Sequence, residues 1–400
     1  MIRRNITLLF LVLFTCLGFS FAAIKLTGAS PIAKVAKLGN EIIKKPINVV
    51  KEGAKSTIQV ALLLDTSGSM EGLIEQAKSQ LWNILNELAR TQKNDQETNL
   101  QIALYEYGNP RTGDTELQIR QLSGFTTDMD LISELLFSLQ TDGGQEYCGA
   151  VLKRSLDELK WKAGDGLKMI YIAGNEPFTQ GPINYLQVCE RAQTEGIVIN
   201  TIFCGDLKDG KFGQWDDGAV IAGGEFINIS HNEETVYIAS PYDDEINKLN
   251  KKLNDTYIPY GKYGTSKKEN QRRQDMNAIS YSKSNAADRI SYKSSSKYKA
   301  DDWDLVDAYK KDKSILKTAD IKSEKYSTMS IEELEAKVEE ITTQRSTIKA
   351  EIKKLDKKRR VYKEKEAQKS LSDKDKSLQN SIIKSVRKQA SKKGFKIKDE

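Results

Sequence analysis

The feature that most constrains the fold of this chain is an apolar run that ends in a short turn rich in carboxylate and hydroxyl groups. Residues 61–64 are all apolar, and Asp65, Ser67 and Ser69 follow them at alternate positions. An unbroken apolar run indicates a strand buried on both faces, which is typical of a parallel sheet covered by helices. A helical pattern begins soon after, so the turn joins the C-terminal end of a strand to a helix. Open α/β sheets bind their ligands at this end of the strands.

Strand and helix patterns alternate between about residue 57 and residue 240. This alternation predicts a doubly wound, mostly parallel α/β sheet. The predicted strands cover 58–64, 100–107, 168–173, 197–203 and 225–229, with a short edge strand over 117–122. The predicted helices cover 73–90, 129–139, 148–159 and 183–195.

The turn after the first strand carries the oxygen ligands that a hard divalent cation prefers. Its sequence, D-x-S-G-S between a strand and a helix, resembles the metal-ion-dependent adhesion site of von Willebrand factor A domains. Gly124–Thr127 with Asp142–Gly144 resembles the family's second loop, and Gly223–Phe226 resembles its closing strand. The resemblance implies a Rossmann-like domain over 57–240 that binds Mg²⁺, or Mn²⁺ or Ca²⁺. It also implies that the ion's open position takes a carboxylate from a protein partner.

The family's pattern is matched in the first loop only. By resemblance, Ser67 and Ser69 would ligate the ion directly and Asp65 through water. The second loop lacks the family's threonine and offers Glu146, and Gly174 stands where the third loop has an aspartate. Three residues are candidates to supply the missing oxygens: Glu146, Asn175 and Glu176.

Two interpretations of this departure stay open. If Glu146 is a ligand, the site carries more protein charge, and its ion attracts a partner's carboxylate less strongly. In the other interpretation the site has lost its metal, and Asp65, Ser67 and Ser69 only close the turn by hydrogen bonds.

Two aromatic residues follow strands at the same predicted edge. Phe178 and Trp215 are expected to be exposed beside the ion and to contact a partner, since aromatic anchors are common in recognition surfaces. The alternative is that both cap the core.

The N-terminus has the pattern of an export signal. Arg3 and Arg4 precede an apolar run over 6–21, and small residues follow at Ala22 and Ala23. This predicts a signal peptide over 1–22, a leader over 23–56 and a secreted or periplasmic protein, with an uncleaved membrane anchor as the alternative. No other segment has the length of a membrane span.

Three cysteines remain after signal cleavage. They are Cys148, Cys189 and Cys204. An odd number in an oxidising compartment predicts either one disulfide with a spare thiol or three small buried residues.

The C-terminal part predicts a different organisation. An extended, Lys- and Ser-rich connector with short helices is expected over 241–327, a long helix over 328–372, and a short helix and tail over 373–400. The long helix opens with a capping box, Ser330 and Glu333. Its heptad seam consists of Ile331, Leu334, Val338, Ile341, Ile348, Ile352, Leu355 and Tyr362, with Arg345 and Arg359 in the two vacant positions. The seam predicts a coiled-coil homodimer, and the alternatives are a helical hairpin with the last helix or packing on the chain's own domain.

Charge and motifs exclude several functions. Residues 301–400 hold 27 Lys and Arg against 20 Asp and Glu, but the acids are interspersed, which favours a solvated helical surface over nucleic-acid binding. The sequence has no P-loop, G-x-G-x-x-G or H-E-x-x-H motif. Its single histidine, His231, is far in sequence from any serine in a nucleophile elbow.

A phosphatase-like enzyme is the remaining catalytic alternative. The strand leading to Asp65 resembles the nucleophile strand of haloacid-dehalogenase-type phosphatases, but Ser67 stands where that chemistry needs a second aspartate. The sequence therefore favours a non-enzymatic module that binds a protein partner through a divalent cation. A scaffold with an inert domain and an interacting helical tail is the second alternative.

Overall fold

Six strands form the central sheet, in the order β5-β4-β1-β6-β7-β8. A computed structural model describes residues 55–229, 237–369 and 378–398, which belong to one compact unit. The predicted signal peptide, nearly all of the leader and His231 lie outside the described residues. The strands are β1 (Thr57–Asp65), β2 (Thr91–Lys93), β3 (Gln96–Glu97), β4 (Asn99–Tyr107), β5 (Ile119–Thr126), β6 (Leu167–Gly174), β7 (Val198–Cys204), β8 (Gly223–Ile229) and β9 (Phe395–Ile397).

All neighbouring pairs in this sheet are parallel except β4 with β5. The predicted doubly wound, mostly parallel sheet is therefore confirmed. The resemblance had assigned Gly124, Phe125 and Thr126 to the second loop of the candidate site. In the structure they lie within β5 instead. The three remaining strands form a small antiparallel sheet in the order β3-β2-β9.

Strand β1 is mostly apolar, and both of its faces are covered. Ile58, Val60 and Leu64 belong to one apolar core, while Ala61 and Leu63 point into the other. The helices are α1 (Glu71–Ala89), α2 (Met129–Ser138), α3 (Cys148–Glu158), α4 (Tyr185–Thr194), α5 (Leu207–Phe212), α6 (Trp215–Ile221), α7 (Asp243–Asp255), α8 (Gly264–Tyr281), α9 (Lys283–Ser294), α10 (Leu305–Lys311), α11 (Glu324–Ser327), α12 (Ile331–Lys369) and α13 (Leu378–Lys392). Helices α1, α2 and α13 contribute to the first core, and α3, α4 and α6 to the second.

The last helix, α13, returns to the sheet after a long excursion of the chain. The hydroxyl groups of Ser385 and Tyr171 lie 2.5 Å apart, and Asn200 donates to Gln389 at 3.3 Å. The segment that was predicted as a short helix and tail thus supplies one of the helices that cover the sheet.

The prediction of an extended connector over 241–327 is wrong for its Ser- and Lys-rich part. Helices α8 and α9 occupy it, and they pack on the sheet domain through both apolar and polar side chains. Arg289 is fully buried, and its guanidinium donates to Asp130 at 2.7 Å and to Asp275 at 2.5 Å. The segment has the polar composition of a solvated connector. It is nevertheless folded, because its buried polar groups are paired with one another inside the protein.

The long helix is present, but its seam faces the same chain. The predicted capping box forms, with the Ser330 amide donating to Glu333 at 2.9 Å and the Glu333 amide donating to Ser330 at 3.2 Å. Six seam residues are buried within the unit: Leu334, Val338, Ile341, Ile348, Ile352 and Leu355. The expectation that this seam pairs with a second copy is therefore wrong, and the packing alternative describes the chain.

Arg345 and Arg359 occupy the two positions at which the apolar seam of α12 is interrupted. Arg345 is fully buried and donates to Asp304 at 2.6 Å and to Asp307 at 2.8 Å. Arg359 does the same with Asp243 and Asp288, both at 2.6 Å. These four carboxylates lie on α7, α9, α10 and the residue before α10. The two arginines thus tie α12 to the helical layer that α7, α8, α9 and α10 form.

The three cysteines are free and buried. The sequence left open a disulfide with a spare thiol or three small buried residues, and the structure supports the second alternative. None of the helices in the described ranges is both long and apolar enough to cross a membrane.

Replacing Arg345 by Met is expected to destabilise the protein by about 3–5 kcal/mol, because it leaves the buried Asp304 carboxylate without its cation. The matched control is Arg273→Met, which removes an exposed pair with Glu134 and should cost less than about 0.5 kcal/mol. Urea denaturation of both variants measures the difference. Equal losses in the two variants would contradict the buried pairing of α12.

Candidate metal centre

The candidate site lies where three adjacent parallel strands end. Strand β1 ends at Asp65, β4 at Tyr107 and β6 at Gly174. The Thr66 amide donates to the Tyr107 carbonyl at 2.9 Å, and the Asp142 amide donates to the Thr66 carbonyl at 3.0 Å. These bonds bring the loop after α2 against the turn after β1.

The first loop has the local geometry of a closed oxygen-lined turn. The Ser67 amide donates to Asp65 Oδ1 at 2.8 Å, and the hydroxyl groups of Ser67 and Ser69 lie 3.2 Å apart. Asp65 is fully buried and Ser67 nearly so, whereas Ser69 is exposed. The cluster therefore opens to solvent on the side of Ser69.

Glu146 joins this cluster from the loop before α3. Its side chain interacts directly with those of Asp65 and Ser67. Gly108 makes room for the two carboxylates, since a Cβ there would lie 2.6 Å from Asp65 Oδ1 and 2.9 Å from Glu146 Cγ. Sequence reasoning missed Gly108, although its place directly after a predicted strand was an available signal.

The third loop contributes Asn175. Its side-chain amide donates to Ser69 Oγ at 2.8 Å. Glu176 is exposed, and its main-chain carbonyl accepts a hydrogen bond from Trp215 Nε1 at 2.8 Å. The structure thus brings Asp65, Ser67, Ser69, Glu146 and Asn175 together and leaves the Glu176 carboxylate at the rim.

Two carboxylates share this buried space without a basic partner. Burial raises the pKa of Asp65 well above its usual value, and the negative charge of Glu146 raises it further. Burial also raises the pKa of Glu146. Placing two such groups together is costly unless a proton or a cation compensates their charge.

Three buried oxygen atoms of the cluster have no hydrogen-bond partner among the described residues. They are Asp65 Oδ2, Glu146 Oε2 and Asn175 Oδ1. Oxygen atoms of this kind, together with two serine hydroxyl groups, form a donor set suited to a hard divalent cation. The described residues contain no group of three or more His, Cys, Asp and Glu side chains arranged to hold a metal. A cation here would therefore need the hydroxyl and amide oxygens as well as the two carboxylates.

The missing third-loop aspartate has a steric explanation. A Cβ on Gly174 would lie 2.6 Å from the Tyr107 hydroxyl oxygen, 3.0 Å from the Trp215 ring and 3.2 Å from Asp65 Oδ2. Tyr107 is held in this place because its hydroxyl donates to the Ala173 carbonyl at 2.9 Å. An aromatic hydroxyl group thus occupies the space that a side chain at residue 174 would need.

The expectation that Phe178 and Trp215 are exposed is wrong. Both are fully buried, and their rings pack with centroids 4.9 Å apart. Trp215 also packs against Phe203 at 5.7 Å. Their place after a strand did not distinguish a residue that caps the core from one that faces solvent.

Comparisons with known proteins find structural similarities at low sequence identity. No protein-family profile and no curated protein matches the sequence. Similar solved structures include the VWA domain of SpRpn10, with 17% identity, a TM-score of 0.35 and coverage of 44% of this chain and 90% of that one. The vWF domain of the type V pili tip protein Mfa5 from Porphyromonas gingivalis is 13% identical, with a TM-score of 0.33 and coverage of 44% and 91%.

A third similar structure is proximal thread matrix protein 1 from the mussel byssus, which was solved with a zinc-occupied MIDAS motif. It is 15% identical, with a TM-score of 0.34 and coverage of 45% of this chain and 43% of that one. Identities this low transfer no ligand and no partner to this chain.

The steric explanation for Gly174 predicts that Gly174→Ala lowers the free energy of unfolding by about 1–3 kcal/mol, as overpacking of a filled site does. Gly143→Ala in the second loop is the control, because no atom lies within 4 Å of the added Cβ. Its expected effect is below about 0.5 kcal/mol. Thermal or urea unfolding of the two variants measures the difference. If Gly174→Ala loses no more stability than Gly143→Ala, then Tyr107 and Trp215 move away from the added methyl group at little cost.

The raised pKa of Asp65 predicts a pH dependence of the cation-free protein. A carboxyl group whose pKa is higher in the folded than in the unfolded state stabilises the fold at low pH, and this contribution is lost as pH rises through the folded-state pKa. In EDTA the contribution of Asp65 to the free energy of unfolding should therefore fall as pH increases from about 4. Glu146→Gln should reduce this fall, while Asp209→Asn, at an exposed position, should leave it unchanged. A fall of the same size in all three proteins would contradict the coupling of Asp65 with Glu146.

Proposed function

We propose that this von Willebrand A-type domain is a module that binds a protein partner through a divalent cation, with Mg²⁺ as the first candidate and Mn²⁺ or Ca²⁺ as alternatives. The observation that carries the proposal is the trio of buried oxygens without hydrogen-bond partners, on Asp65, Glu146 and Asn175. The side chains of these three residues contact Ser67 or Ser69, whose hydroxyl groups lie 3.2 Å apart, at the ligand-binding edge of an open α/β sheet. The domain is proposed to be a binding module and not an enzyme.

Each residue has a separate part in this proposal. Ser67 and Ser69 would hold the cation through hydroxyl oxygens, and Asn175 orients Ser69 by its hydrogen bond. Asp65 and Glu146 would supply the negative charge. The bound cation would offer a positive open position to a carboxylate of the partner on the solvent side of Ser69.

The cellular setting belongs to the same proposal. An export signal over residues 1–22 would place the domain outside the cytoplasm, secreted or in a periplasm. Zn²⁺ is included as a comparison in the experiment, because the mussel protein was solved with a zinc-occupied MIDAS motif.

Isothermal titration calorimetry of EDTA-stripped protein with Mg²⁺, Mn²⁺, Ca²⁺ and Zn²⁺ tests the proposal. One site is expected in the wild type, and Asp65→Asn and Glu146→Gln should weaken it by at least about tenfold, since each removes a charge from the buried donor set. Asp209→Asn is the matched control, because it removes an exposed carboxylate near the same edge.

Two outcomes would contradict parts of this proposal. Absence of cation binding in the folded wild type would favour the scaffold alternative, in which the turn is closed by hydrogen bonds alone. Cation binding that is unchanged in Glu146→Gln would keep the metal site and remove Glu146 from its ligands.

A further inference from the structure

Phe212 is an exposed aromatic residue on α5, the helix that follows β7 at this edge of the sheet. It is the last residue of α5, and 88% of its surface is accessible, the highest value among the large apolar side chains of the described residues. Aromatic residues are enriched among the side chains that contribute most to binding between proteins. It lies three residues before Trp215, the residue for which exposure was wrongly predicted.

The turn that carries Phe212 is bonded to the third loop of the candidate metal centre. The Phe178 amide donates to the Gly213 carbonyl at 2.8 Å, and Trp215 Nε1 donates to the Glu176 carbonyl at 2.8 Å. Glu176 directly follows Asn175, which contacts Ser69. Phe212 and the cation site are therefore positioned by the same loop.

This turn is also strained, and its neighbours hold it in place. Gln214 has a φ of +66°, in the left-handed region that a side chain with a Cβ rarely adopts. Strain of this kind costs about 1–3 kcal/mol and persists where surrounding structure enforces it. The buried ring of Trp215 supplies that enforcement, since it packs against Phe178 and Phe203.

The charges next to Phe212 cancel. Lys208 and Asp209 are both exposed one turn before it on α5, and Lys211 precedes it with the exposed Asp206 at the start of the helix. The four charged side chains of α5 and its N-cap therefore add no net charge beside Phe212.

We infer that Phe212 is the apolar contact of the partner-binding surface. The partner segment then carries a carboxylate for the cation and, a few residues away, an apolar side chain for Phe212. This inference rests on the proposed function of the metal centre and adds a second point of recognition to it.

Selection of random short peptides from a displayed library tests the inference. The wild-type protein is used in Mg²⁺ or Mn²⁺ and again in EDTA, and a peptide enriched only with the cation is then synthesised. Its affinity is measured by fluorescence polarisation for the wild type, Phe212→Ala and Tyr263→Ala. Tyr263 is the matched control, because it is an aromatic residue that is 60% exposed, just before α8 in the helical layer.

The expected result is that enriched peptides share an acidic residue and an apolar residue at a constant spacing. Phe212→Ala should weaken binding by roughly fivefold or more, as truncation of a central contact residue does. Its calorimetric cation affinity should equal that of the wild type, and Tyr263→Ala should bind the peptide as the wild type does.

Failure of the inference and failure of the proposed function give different results. Cation-dependent enrichment of acidic peptides without an apolar residue, or equal peptide affinity in Phe212→Ala, would overturn the role of Phe212 and keep the metal-dependent binding. A general loss in both Phe212→Ala and Tyr263→Ala would also overturn a specific role. No cation-dependent enrichment by the wild type would overturn the binding function and the inference together.

Discussion

Burial of β1 on both faces is the constraint on which the rest of the structure depends. Its side chains alternate between two apolar cores, so helices must cover both sides of the sheet. Strands β4 and β6 pair with β1 in parallel, and all three end at one edge. Asp65 is the last residue of β1, which lies between the other two strands, and its carboxylate is therefore buried. The cost of that burial is what makes this edge of the sheet chemically distinctive.

The helical layer of the structure is held by buried charge as well as by apolar packing. Arg289, Arg345 and Arg359 are each buried and each donate to at least two carboxylates. Such pairs contribute little to stability relative to apolar packing, but breaking one is costly. They therefore act mainly by fixing how the helices sit. Arg289 joins α9 to α8 and to α2 of the sheet domain, and Arg345 and Arg359 join α12 to the other helices of the layer. They let a strongly polar sequence fold into an ordered helical layer.

The sequence predicted what is determined locally and missed what depends on distant partners. The sheet, the turn at Asp65 and the capping box at Ser330 follow from residues close together in the chain. The roles of Arg345 and Arg359 depend on carboxylates 38 or more residues away, and no spacing within the seam indicates them. The burial of Phe178 and Trp215 likewise depends on packing between two loops. A polar, Ser-rich composition predicted an extended connector because pairing inside the protein leaves no signature in composition.

The packing around the candidate metal centre also bears on the charge expected there. With Glu146 as a ligand, the sequence suggested a site with more protein charge than the family's pattern. In the structure Tyr107 and Trp215 fill the space around Gly174, and the third-loop carboxylate, Glu176, stays at the rim of the site. Glu146 from the second loop and Asp65 then make two carboxylates, the number that the family's pattern provides from its first and third loops. A cation held here would keep a similar attraction for a partner's carboxylate, because the second charge has moved to another loop without adding to the total.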